Sequence, residues 1–172
     1  MTTSKTLSIR NMTLISMFTA ILAILTQISF MLPGNVPMTL QTFAIALIGI
    51  ILGPKLGAIS VTVYLLLGMV GLPVFSNFHS GPGVLFGPTG GYLIGFLFMV
   101  IILGFGKDKK IYLALFFAIL GLLVCHASGL IVYYLITKTF LVTTPIILIK
   151  DIVTIILAIM IGNDVKKRIG MI

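Results

Sequence analysis

Three ionisable side chains stand inside runs that are otherwise apolar: His126 within 111–137, and Lys150 and Asp151 within 139–163. In a chain that is 59% hydrophobic and 8% charged, such groups are costly to bury in lipid unless they face a polar interior or one another. By default they mark a site or a pathway. Lys150 and Asp151 follow Pro145 by one to two helical turns, roughly 8 to 9 Å inside the end of their run. His126 lies about 22 Å into its own run, counted from the opposite end, which brings it to a similar depth. The spacing His126, Gly129, Leu130, Tyr133 puts an imidazole, a small residue and a phenol on one helical stripe. Two readings stand at this point. The three groups anchor a solute, or Lys150 snorkels to headgroups with Asp151 as a local partner while His126 bonds across helices.

Catalytic arrangements are missing. The chain has only 3 acidic residues, no paired carboxylates at useful spacing, no His/Cys set with metal-ligand spacing, and no serine with a base beside it. No metal site, cofactor or enzymatic activity is therefore expected. The segment Gly49 to Lys55 fails as a phosphate loop because Pro54 stands where a glycine is needed. The formal charge of +8 does not indicate nucleic acid, since the basic residues punctuate the apolar runs and do not gather with aromatics on a polar face. The single Cys125 reads as a small buried hydrophobe.

Further polar and aromatic candidates flank these runs. Met38 to Phe43 offers the Thr39 hydroxyl and the Gln41 amide, and Phe75, Asn77 and the stretch Gly87 to Tyr92, with Gly90 and Tyr92, offer backbone donors and an aromatic wall. Tight turns and close helix packing explain those glycines equally well. Ser16 and Ala20, with Thr19 and Ala23, form small-x-x-x-small pairs that suit close approach of a helix, in a partner subunit or in the same bundle.

The elements that must position these residues are membrane helices. The uncharged runs 11–54, 56–106 and 111–137 hold two, two and one spans of roughly 20 residues, and 139–163 holds one more. An all-α integral membrane protein of six transmembrane helices is predicted, a single domain over 1–172, with helices at about 11–32, 37–52, 56–72, 92–106, 111–137 and 145–162. The basic start and apolar run of the N-terminus lack a small-residue cleavage pattern and are kept as the first helix. Pro33 to Pro37 and Gly53-Pro54-Lys55 are helix breaks. Lys5, Arg10, Lys55, Lys107, Lys109, Lys110, Lys166, Lys167 and Arg168 fall at alternate helix ends and Lys138 on the other side, so both termini are expected in the cytoplasm. The Gly- and Pro-rich stretch 73–91 is expected to fold back over a cavity on the outer side, because irregular backbone at membrane depth needs protein or water around it. No inverted repeat is evident.

The blocks Val36-Pro37-Met38-Thr39-Leu40-Gln41-Thr42-Phe43, Leu52-Gly53-Pro54-Lys55-Leu56-Gly57, Gly71-Leu72-Pro73-Val74-Phe75 and Phe86-Gly87-Pro88-Thr89-Gly90-Gly91-Tyr92-Leu93-Ile94-Gly95-Phe96 resemble BioY, the biotin-specific S component of energy-coupling factor (ECF) transporters. The resemblance covers nearly the whole chain in order. It implies an S-component bundle in a prokaryotic plasma membrane, with biotin bound near the outer face. It also implies a transmembrane T component and two cytoplasmic ATPase subunits as partners, although some relatives are considered solitary transporters. One departure concerns the family's Asp-x-x-Lys pattern, since Asp151 is followed three residues later by Thr154. Lys150, about one turn from Thr154, is expected to supply the cation. On this reading Asp151, Asn77 and Gln41 serve the ureido ring, Tyr92 and Phe75 the apolar part, and Lys150 or backbone N–H groups the carboxylate. An S component for a flavin or thiamine, or a small intramembrane enzyme built on His126 and Asp151, is the alternative.

Overall fold

The structure is a computed structural model that describes residues 8–32, 36–141 and 144–169. Helix α1 (Ile9–Thr26) begins where the Ser8 hydroxyl accepts the Asn11 N–H at 3.3 Å, covering one of the donors a helix start leaves unpaired. It is shorter than expected. Ser29–Leu32, predicted as the end of the first helix, is strand β1, and Val36–Thr39, whose Pro37 was predicted to open the second, is strand β2. The strands pair antiparallel with Phe30 opposite Met38 and Met31 opposite Pro37. In a two-stranded pair about half of the peptide groups bond across and the outer edges stay open. The breaks expected at Pro33, Gly34 and Asn35 lie outside the described residues.

Helix α2 (Gln41–Met69) contains two of the predicted helices, because Gly53 has φ +80° and ψ −177°, a conformation that only glycine adopts without strain. The chain reverses there. Gln41 Nε2 lies 2.9 Å from Tyr64 Oη, whereas a straight helix would hold those residues roughly 34 Å apart. The arms 41–52 and 54–69 are therefore neighbours, as the predicted turn at Gly53-Pro54-Lys55 requires. The stretch up to the next long helix includes a 3-10 turn at Ser76–Phe78 and one helical turn, α3 (Pro82–Leu85). Three long helices follow: α4 (Gly90–Gly104), α5 (Ile111–Thr137) and α6 (Thr144–Ile169), the last running about two turns beyond its predicted end.

The first arm of α2 forms the centre. Ala44, Ile45, Ile48 and Ile51 are shielded, together with Met99, Val100 and Leu103 of α4. Backbones meet closely there: a Cβ on Gly104 would fall 2.5 Å from the Pro54 nitrogen, and one on Gly91 would fall 2.4 Å from the Ser128 carbonyl of α5. Outward faces of α5 and α6 expose Phe116, Ile119, Leu123, Ile149, Val153 and Met160. That surface is a lipid face, since a contiguous apolar belt of this kind is excluded on a water-solvated monomer. The protein is a multi-pass membrane protein with six helices among the described residues, counting the two arms of α2 separately and setting aside the single turn α3.

Candidate functional site

Between the hairpin, α2, the 73–91 stretch, α4, α5 and α6 lies a cavity of about 60 Å³. Val36 and Pro37, Phe75, Leu93, Phe96 and Ile147 make its apolar wall. Thr39, Gln41, Thr42, Tyr92, His126, Lys150 and Asp151 supply its polar side.

The polar side is one connected chain of contacts. Asp151, 3% exposed, pairs through Oδ1 with the Lys150 ammonium and through Oδ2 with His126 Nε2 at 3.0 Å. Lys150 also donates to the Thr39 carbonyl at 2.8 Å, which ties α6 to β2. The Thr39 hydroxyl donates to Gln41 Oε1, Gln41 Nε2 donates to Tyr64 Oη, and Tyr64 donates to the Val74 carbonyl, each near 3 Å. Gln27 closes the other flank, its amide nitrogen donating to the Phe75 carbonyl at 3.1 Å and its oxygen accepting the Phe78 N–H at 3.0 Å. The irregular stretch is thus sewn to the bundle by side chains, as expected of backbone that covers a cavity. Phe75 is 1% exposed and lies edge-on to Tyr64, in space left by Gly68, where a Cβ would meet its ring at 2.2 Å.

Tyr92 is placed in the same way. Its ring occupies the position opposite Gly129, where a Cβ would come within 2.5 Å, and it stands edge-to-face with the His126 ring at 5.7 Å. Tyr92 Oη and His126 Nδ1 are buried and have no protein partner among the described residues. An unpaired buried polar atom costs about 1–3 kcal/mol, which sets these two atoms apart from the satisfied polar groups around them.

Of the expected contacts, Thr39, Gln41, Phe75, Tyr92, His126, Lys150 and Asp151 share this cavity. Three do not line it. Asn77 is exposed, in a left-handed conformation, and fastens its loop to β1 by accepting the Ser29 hydroxyl at 2.9 Å. Tyr133 is buried behind the wall with Val36, Leu141 and Ile147. Gly90 serves close passage, since a Cβ there would fall 1.7 Å from the Leu85 carbonyl oxygen. Thr154 turns its hydroxyl back to the Asp151 carbonyl at 3.1 Å, and Lys150 is the cation beside Asp151. Sequence reasoning missed Leu93, Phe96 and Ile147. Helical spacing holds their signal, because 92, 93 and 96 fall on one face of α4, and 147, 150 and 151 on one face of α6. On α1, Ser16 and Ala20 face outward and Ala23 is half-buried, while Thr19 turns inward to Ser60 at 3.0 Å.

A six-helix membrane bundle with a largely enclosed cavity and a few converging polar groups defines a membrane protein that binds a small solute. Comparison with known proteins identifies which kind. The BioY family profile matches residues 1–171, and the chain belongs to that family. It is 37% identical over 160 residues to the probable biotin transporter BioY of Pyrococcus horikoshii, covering 91% of this chain and 96% of the relative. It is 39% identical over 156 residues to the biotin transporter BioY of Thermotoga maritima, covering 87% and 92%. A crystal structure of the S-component for biotin from an ECF-type ABC transporter superposes with a TM-score of 0.83 at 29% identity, covering 92% of each chain.

Proposed function

We propose that this chain captures biotin at the membrane, as the substrate-binding subunit of an ECF-type transporter and without catalytic activity of its own. The observation that carries the reading is the cavity in which Lys150, Asp151 and His126 meet an aromatic and aliphatic wall, in a chain of the BioY family. Biotin joins a polar, uncharged ureido ring to an apolar bicycle and a chain ending in carboxylate. The Lys150 charge is already met by Asp151, so the polar cluster suits the ureido ring, and Phe75, Leu93 and Phe96 suit the bicycle. The carboxylate then lies toward the mouth.

A T component and two ATPase subunits are the proposed partners, and the outward Ser16 and Ala20 of α1 give a T component a surface for close approach. The basic segments 107–110 and 166–168 support cytoplasmic termini in a prokaryotic plasma membrane. Equilibrium binding of labelled biotin to the purified chain tests the reading. Saturable binding, competed by biotin and its methyl ester but not by riboflavin or thiamine, is expected; the absence of saturable biotin binding, or its displacement by either vitamin, overturns it.

A further inference from the structure

A second hollow lies where α5 ends and α6 begins, at the same end of the bundle as the cavity. It is a groove of about 660 Å³, within the range of small-molecule sites, and none of its residues lines the cavity. Leu130, Ile131, Leu135 and Leu141 line it, with the rings of Tyr134 and Phe140 stacked at 5.0 Å beside them. Leu141 also packs with Val36 and Ile147 of the cavity, so the two spaces share a wall.

The polarity of the groove is graded with depth. At its rim α5 stops on Lys138, exposed and next to Thr139, whereas Leu130 lies eight residues deeper, roughly 12 Å along the helix. Lys138 has no acid to meet within the chain. Of the 3 acidic residues, Asp108 and Asp164 are at the opposite end, and Asp151 is already shared by Lys150 and His126. An anion for Lys138 therefore comes from outside. Ile131 and Leu135 are exposed on the lipid face of α5, so hydrocarbon and not water meets the groove along its length. A cation above an apolar trough repeats the polarity order of a phospholipid, with a charged head over an acyl chain. We infer that the groove seats an anionic phospholipid, its phosphate at Lys138 and one chain along Leu135, Ile131 and Leu130. A zwitterionic lipid fits the trough as well, but it brings its own cation and is drawn to Lys138 less strongly.

The chain has no tryptophan, so a single one introduced into the groove reports on what touches it. Tyr134→Trp and Leu135→Trp place that reporter at two groove positions, either of which suffices if the other disturbs folding. Phe98→Trp places it on the exposed face of α4, away from the groove. Each protein is reconstituted in vesicles mixing phosphatidylglycerol and phosphatidylcholine of the same chain length, with bromine on the chains of one lipid or the other as quencher. At the groove positions phosphatidylglycerol is expected to be favoured about 5-fold at low salt, the attraction of one lysine near a membrane surface. The preference shrinks as salt is raised. Lys138→Ala in either reporter background abolishes it, and Phe98→Trp shows none. Equal quenching by the two lipids at the groove positions overturns the inference, as does a preference that survives Lys138→Ala. So does a groove reporter that neither lipid quenches while Phe98→Trp is quenched, because protein then fills the space.

Discussion

The two ends of the bundle are built on different principles. At the cavity end, a hairpin and an irregular stretch are held by a continuous line of polar contacts from Tyr64 through Gln41, Thr39 and Lys150 to Asp151 and His126. At the end that carries Lys107 to Lys110, close packing at glycines prevails, with Gly49 against the Leu103 side chain and Gly104 against the Pro54 backbone. The single ion pair described there joins a buried Lys166 to a half-exposed Asp108 at 2.9 Å. Polar networks hold geometry only while every member is satisfied; close packing holds it without regard to charge. Close glycine packing occurs at both ends, with Gly90 against Leu85 and Gly91 against Ser128 near the cavity, whereas the connected polar line is described at the cavity end.

Asp151→Ala separates the two ends most sharply. It leaves Lys150 and His126 without their shared acceptor, a loss of about 3–5 kcal/mol in a buried site, and biotin affinity falls by about 100-fold or more in equilibrium binding. Gln41→Leu interrupts the line between Thr39 and Tyr64 without touching a charge, and costs about 1–3 kcal/mol with roughly a 10-fold loss of affinity. Gly104→Ala forces a Cβ against the backbone at Pro54 and lowers the thermal midpoint by the equivalent of about 1–3 kcal/mol, while affinity per folded molecule is unchanged. An affinity loss with Gly104→Ala would show that the ends are coupled. Lys166→Met is the smallest, under about 1 kcal/mol in stability and without effect on binding, because Met fills the space of the buried lysine and the Asp108 left behind is half exposed.

The helices were legible because charge-free runs of spanning length leave few other folds, and Gly53-Pro54 announced a reversal by its residue types. Their ends were less so. Ser29 to Leu32 is as apolar as the helix before it, and only its pairing with Val36 to Thr39 makes it a strand. In the site, Lys150, Asp151 and His126 stood out by their cost in lipid, and their common depth followed from helical rise. Asn77 misled because a polar residue in a loop resembles a ligand contact until its partner on β1 is seen. Phe96 and Ile147 carry no such signal singly, since an apolar residue reads the same whether it faces lipid, core or ligand.

The reversal of α2 at Gly53 also fixes how unevenly the protein is measured against its membrane. Its arms 41–52 and 54–69 rise roughly 18 and 24 Å, whereas α5 and α6 rise roughly 40 Å across a hydrocarbon slab of about 30 Å. No single thickness matches both. The lipids beside the exposed face of the second arm thin, or the long helices lean, at a cost of a fraction of a kcal/mol per Å. Bilayer composition thereby becomes a mechanical load on the orientation of the bundle, acting apart from any contact with the bound vitamin.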